Sequence, residues 1–428
     1  MSAVADEAGV AQLTRLWRDP AAWITAADIL AMLTAVSLPW STSLVAIFAT
    51  AFLVSIVPFF DAKTFLQLVR RPICTLPLAL FCLAVAGTLW SDAAWGARLY
   101  AVGPTLKLLM LPVLFYHFER SERGRSVFLA FLVACALLMV LSWIVLFVPQ
   151  LKVTSTQSAG VPVKNYIDQS QEFALCAVAL AYPTIALLRT RRIWQPVLLV
   201  ALSLSFVGNM IFVIVSRTAL VTIPVMSAVF ALIHLKWRSI VVIFCLMASF
   251  AGLAWTISPQ LRTTTKTFLS DYQLYRERNV ATSGGLRLEY WKKSLQFLAE
   301  APMIGHGTGS TRGLFERAAL GQTGASADVV GNPHNQTLNM AVQWGAIGII
   351  GLYAMWFVHL AMFRGDGVAN WIGLLVVVQN VFTSLFNSHL FDFHEGWMYV
   401  LGVGVAGGMA LKNRSCEAAA GTERPGRS

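Results

Sequence analysis

Residues 126–149 read SVFLAFLVACALLMVLSWIVLFVP, a run without a single charged side chain. An α-helix rises about 1.5 Å per residue, so a run of this length crosses the roughly 30 Å of hydrocarbon in a bilayer. It lacks the period-2 alternation of apolar and polar residues that a membrane β-barrel strand would show. Charges gather just before it, among them Glu119, Arg120, Arg123 and Arg125. The stretch reads as one membrane-spanning helix with a basic flank.

The same pattern recurs along the chain. Of 428 residues, 57% are hydrophobic and 12% charged, against about a quarter charged in an ordinary soluble domain. A water-soluble chain of this balance would lack the polar surface to cover itself. Apolar runs fall near 23–40, 43–60, 74–90, 100–117, 126–149, 171–188, 196–215, 217–234, 239–257, 336–362, 369–386 and 396–411. Lipid offers the backbone no hydrogen-bond partner, and a helix satisfies it internally. The expected fold is an all-α polytopic membrane protein of about twelve transmembrane helices. The first apolar stretch, from about Trp23, reads as a retained span, because no small-residue cleavage site follows a short hydrophobic region. Neither an internal repeat nor matching broken spans in the two halves is visible.

Basic residues alternate from loop to loop. Lys63, Arg70 and Arg71 occupy one connection, Arg120, Arg123 and Arg125 the next of the same side, then Arg189-Thr190-Arg191-Arg192, then Lys236-Trp237-Arg238, and finally Lys412 and Arg414. The opposing short connections, such as Trp40-Ser41-Thr42-Ser43, carry few. Positive loops stay in the cytoplasm, so both termini are expected there. The net charge of +11 then reflects this rule and anionic lipid headgroups rather than a nucleic-acid partner. Six dispersed cysteines form no CxxC pair, so neither a disulfide framework nor a zinc site is indicated.

The expected organisation is residues 1–257 with spans one to nine, a long folded periplasmic loop at 258–335, spans ten to twelve at 336–411, and a disordered cytoplasmic tail at 412–428. Long loops cross regardless of charge, so the basic residues of 258–335 do not contradict the orientation. Leu288, Trp291, Leu295 and Leu298 fall near helical spacing in that loop, as in an amphipathic surface helix.

Charged residues at membrane depth are costly and usually functional. Arg217, in Ser216-Arg217-Thr218 at the tight turn between spans seven and eight, is either a snorkelling arginine or a ligand for an anion. Arg287 precedes Tyr290 and Trp291 by three and four positions. It either pairs with a nearby carboxylate or faces a headgroup while the aromatics sit in lipid. In Gly331-Asn332-Pro333-His334-Asn335-Gln336, Asn332 suits a helix cap and Pro333 the first helical position, which would put His334 in the first turn. A helix N-terminus favours neutral imidazole, as a general base requires; the alternative is a histidine satisfying backbone groups. Lys107 lies inside an otherwise apolar span, with Asp392, His394, Glu395 and Glu172 as possible partners. His389 and His394 have no metal-motif spacing. Gly305-His306-Gly307-Thr308-Gly309 has no P-loop lysine and reads as a tight turn.

The order Ser216-Arg217-Thr218, Arg287 before Tyr290-Trp291, Gly305–Gly309, then Pro333-His334-Asn335 followed by Trp344-Gly345, resembles the bacterial O-antigen ligase and polymerase family. The resemblance covers most of the chain and is dense from about 200 to 350. It implies a metal-independent inverting glycosyltransferase of the broad C-type class, with no cofactor. Such an enzyme moves a glycan from undecaprenyl pyrophosphate to a sugar hydroxyl of lipid A–core at the periplasmic face. Carried onto this chain, Arg217 and Arg287 would bind the pyrophosphate, with Lys107 as an addition, and His334 would activate or orient the acceptor. An O-antigen polymerase and a protein glycosyltransferase of the same family are the nearest alternatives. A transporter or flippase for anionic lipids or metabolites is the alternative of another class; it predicts charges at mid-membrane and two related halves.

Overall fold

Apolar runs of membrane length leave the backbone one stable solution in lipid, and the chain takes it. The computed structural model describes residues 19–154, 158–190 and 193–422; Arg191 and Arg192 of the expected basic loop lie outside them. Helix α1 (Pro20–Ser37) starts on Pro20, with Asp19 capping the Ala21 N–H at 2.9 Å. It packs on α2 (Thr42–Ile56) and on α7 (Gly124–Phe147), with α3 (Ala62–Val69) and α4 (Pro72–Ala86) between them in sequence. The fourth apolar run is not one α-helix. Gly103-Pro104 interrupts it, giving α5 (Trp95–Val102), a 3-10 segment Gly103–Leu109, and α6 (Met110–Phe118). Proline lacks the N–H that an uninterrupted α-helix would use.

Helices α8 (Tyr166–Ala179), α9 (Ala181–Leu188), α10 (Trp194–Phe212), α11 (Arg217–His234) and α12 (Trp237–Ile257) follow. The chain then forms α13 (Pro259–Arg278), α14 (Ser283–Glu300) and α15 (Thr311–Ala319) before re-entering the bundle as α16 (Gln336–Met362), α17 (Val368–Thr383) and α18 (Phe393–Thr422). Ten helical stretches among the described residues are long and apolar enough to cross a membrane; α17 is apolar but shorter. The molecule is an all-helical, multi-pass membrane protein. Ile47, Val54, Leu129 and Leu198 are more than half exposed on its outer surface, the apolar coat that faces lipid rather than water. The tail expected to be disordered from 412 is helical to Thr422.

Helix α18 packs on α6 and α17, and α4 packs on α16, which closes the core. The stretch between α13 and α16 has an apolar cluster of its own, in which Tyr290, Phe297, Leu314 and Phe315 gather on Val342 of α16. The glycine turn fastens it there. The N–H groups of His306 and Gly307 donate to the Val342 and Gln343 carbonyls at 2.9 Å each, and that of Thr308 donates to the Gly87 carbonyl. A turn whose amides are bonded to backbone carbonyls does not cradle a phosphate. Gly305 has φ +63, and a Cβ there would lie 2.5 Å from the Gln343 carbonyl carbon. Gly345, at φ 58, breaks α16 where the turn presses against it.

Candidate functional site

One end of the bundle gathers charge from distant parts of the sequence. Arg217 begins α11, and its guanidinium lies 3.7 Å from the Asp271 carboxylate of α13. Arg287 lies on the first two turns of α14 and is half-buried. Among the described residues it makes no hydrogen bond or ion pair. Glu289, the carboxylate nearest in sequence, accepts instead from the Tyr275 hydroxyl at 2.8 Å. Burial acts against the charge on Arg287, a nearby Tyr166 favours it, and the like charge of Arg217 opposes it. The two arginines are therefore electrostatic neighbours.

The helix start near His334 differs from the sequence expectation. Asn335, not Asn332, caps α16, accepting from the Leu338 N–H at 3.1 Å. His334 stands before the helix rather than in its first turn, at φ 52. Asn332 makes a local turn instead, its Oδ1 accepting the His334 N–H at 3.0 Å and the Ser388 hydroxyl at 2.6 Å. The imidazole is depressed below its ordinary value by burial, despite the hydrogen bond to Asn387, and further by the charge of Arg287. Burial, not the helix dipole, keeps it neutral.

Tyr290 also departs from expectation. It is buried rather than lipid-facing, its ring stacks on that of His334 with centroids 5.9 Å apart at 29°, and its hydroxyl donates to Asp328. On the other edge, His334 Nδ1 lies 2.7 Å from Asn387 Oδ1, and Asn387 Nδ2 donates to Asp392 Oδ2 at 2.5 Å. Asn387 carried no sequence signal: it sits in Phe386-Asn387-Ser388, fifty-three positions from its partner.

Lys107 stands apart from the arginines. It lies in the 3-10 segment, 8% exposed, and its ammonium donates to the main-chain carbonyls of Phe391 (3.2 Å) and Asp392. A Cβ on Gly396 would collide with it. His389, Asp392 and Glu395 bring potential ligand atoms within 4.8 Å of one another. The Lys107 charge reaches both carboxylates of that group, so a cation already stands beside them. Below it, His394 Nδ1 meets Asp168 Oδ2 at 2.5 Å, and Asn165 Nδ2 donates to the same oxygen at 2.9 Å.

The structure thus relates Arg217 to Arg287, Arg287 to His334, and His334 through Asn387 and Asp392 to Lys107. Neutral imidazole beside an arginine with no anionic partner is suited to an anionic substrate that carries a reacting hydroxyl nearby. No curated protein matches the chain. Residues 202–353, which contain Arg217, Arg287 and His334 but neither Lys107 nor Asn387, match the family model described as O-antigen ligase. In this segment, which is less than half of the chain, the protein is similar to the O-antigen ligase family.

Proposed function

We propose that this protein is an O-antigen ligase that transfers a glycan from undecaprenyl pyrophosphate to a sugar hydroxyl of lipid A–core. The observation that carries the reading is Arg287, a half-buried guanidinium with no anionic partner among the described residues, beside a histidine held neutral. A desolvated cation without a counter-ion is costly, and a substrate phosphate would relieve it.

In the reaction, the acceptor hydroxyl oxygen forms a bond to the anomeric carbon as the bond from that carbon to the pyrophosphate oxygen breaks. The bonding pair leaves with the pyrophosphate, whose growing charge Arg217 and Arg287 stabilise. The hydroxyl proton passes to His334. Attack opposite the leaving group inverts the anomeric centre. Lys107 contributes from behind, by holding the main chain at Phe391 and Asp392. The alternating basic loops support a cytoplasmic location for both termini and a periplasmic site. In this reading α17 and α18 supply the last two of twelve spans.

The test is a reconstituted assay with only this protein, an undecaprenyl-pyrophosphate-linked glycan and lipid A–core, in the presence of a chelator. A His334-dependent gel shift of the lipid A–core band is expected. Lengthening of the lipid-linked glycan instead would make the protein a polymerase. Loss of activity to the chelator would overturn the metal-independent mechanism. No product in either channel from folded protein would sink the enzyme reading.

A further inference from the structure

We propose that Asn387 is a positioning residue that holds His334 in the tautomer protonated at Nδ1, so that Nε2 is the atom that accepts the acceptor's proton. This rests on the reading of His334 as the base.

The argument is one of donors and acceptors. A carboxamide has one oxygen, which only accepts, and one nitrogen, which only donates. An ionised carboxylate only accepts. When Asp392 is ionised, its Oδ2, at 2.5 Å, therefore selects the Asn387 nitrogen. That leaves Asn387 Oδ1 turned to His334 Nδ1 at 2.7 Å. Two acceptors do not bond, so Nδ1 carries the proton. Neutral imidazole has one N–H, so Nε2 is left with its lone pair.

The rest of the cage keeps this edge outward. Tyr290 covers one face of the ring, and the Asn332 turn fixes the backbone from which the ring projects. Nε2 has no hydrogen-bond partner among the described residues and is not among the buried unpaired atoms. The orientation of Asn387 is itself secured from behind. Lys107 pins the main chain of Phe391 and Asp392, and Ser388 anchors the next residue of the loop to Asn332. Four separate stretches of chain, those of Lys107, Tyr290, Asn332 and Asn387, thus converge on a single proton position. A histidine that merely filled space would need none of this order.

The deciding measurement is nitrogen NMR of the full-length protein carrying labelled histidine, with the His334 signals identified by their loss in His334→Gln. The expected result is one protonated nitrogen at Nδ1 and one bare nitrogen at Nε2. The reverse tautomer would overturn the proposal, whatever the activity. Asn387→Leu should then mix the tautomers and lower kcat by about tenfold to a hundredfold, a partial loss of the 10²–10⁴ that a general base contributes. Donor KM and melting temperature should stay near wild type. Unchanged kcat in folded Asn387→Leu would also overturn it. Retention of transfer by His334→Ala, with the expected tautomer still seen, would refute the base reading while leaving the hydrogen-bond assignment intact.

Discussion

Arg217 and Asp271 stand 3.7 Å apart, guanidinium nitrogen to carboxylate oxygen, across the junction of α11 and α13. Arg217 is 39% exposed at the side chain, so the pair contributes little to stability, about 0–1 kcal/mol. Its effect falls on binding. Asp271 partly neutralises one of the two charges proposed for the pyrophosphate. Asp271→Asn should therefore lower donor KM by about threefold to fivefold, the equivalent of roughly 1 kcal/mol, with kcat within twofold. A rise in KM would mean that Asp271 orients Arg217 rather than competing for it.

The arginines themselves should be indispensable. Removing one donor to a developing oxyanion costs about 10²–10³ in rate. Arg217→Ala and Arg287→Ala should each lose at least that much in the transfer assay while purifying as folded protein. Arg→Lys should not rescue either, because an ammonium lacks the planar fork that grips two phosphate oxygens. Full activity in either alanine variant would remove the clamp from the mechanism.

Acidification should stop transfer in two stages. Asp392 is pushed up to about 7 by burial, against the favourable charge of Lys107 and with Asp168 adding to the rise. His389 and Glu395 also bring polar atoms to its side. Above this value the carboxylate is ionised and accepts from Asn387; below it, the protonated acid can donate and the amide loses its fixed orientation. His334 protonates lower, because its own value is depressed. The kcat profile should rise through pH 7 and level off above it. Asp392→Asn should erase the step near 7 and leave only the lower limb. A profile flat from pH 6 to 8 would contradict the relay.

Much of this site was legible in the sequence, for physical reasons. Arg217, Arg287 and His334 interrupt apolar or amphipathic patterns, and a charge at membrane depth announces itself by its cost. Ten membrane-length apolar stretches among the described residues followed from run length. What stayed hidden depended on tertiary contacts. Asn387 is an ordinary loop residue until α17 and α18 bring it to His334. Two asparagines three positions apart could cap the helix; Asn335 does so, and its side chain also donates to the Leu385 carbonyl at 3.1 Å. The left-handed φ of His334 is uncommon for a residue with a Cβ and had no marker in the sequence. Gly103-Pro104 was a visible signal for the break in the fourth run, lost within a stretch of apolar residues.

The glycine turn should carry the integrity of the site rather than its chemistry. Tyr290, which stacks on His334, belongs to the small apolar cluster that the turn fastens against α16. Gly305→Ala would require a left-handed alanine, at about 1–2 kcal/mol, and would add a Cβ 2.5 Å from the Gln343 carbonyl carbon. The nearest atoms are all backbone of Gln343 and Trp344, so no flexible side chain can move aside. The variant should lower the melting temperature and expose 258–335 to protease, with transfer falling in parallel. Gly321→Ala serves as the comparison, since φ is +72 there but nothing lies within 4 Å of the added carbon. It should show the backbone cost alone, with the protease pattern of the wild type. Equal sensitivity in the two variants would mean that strain, not docking of the turn on α16, explains the Gly305 effect.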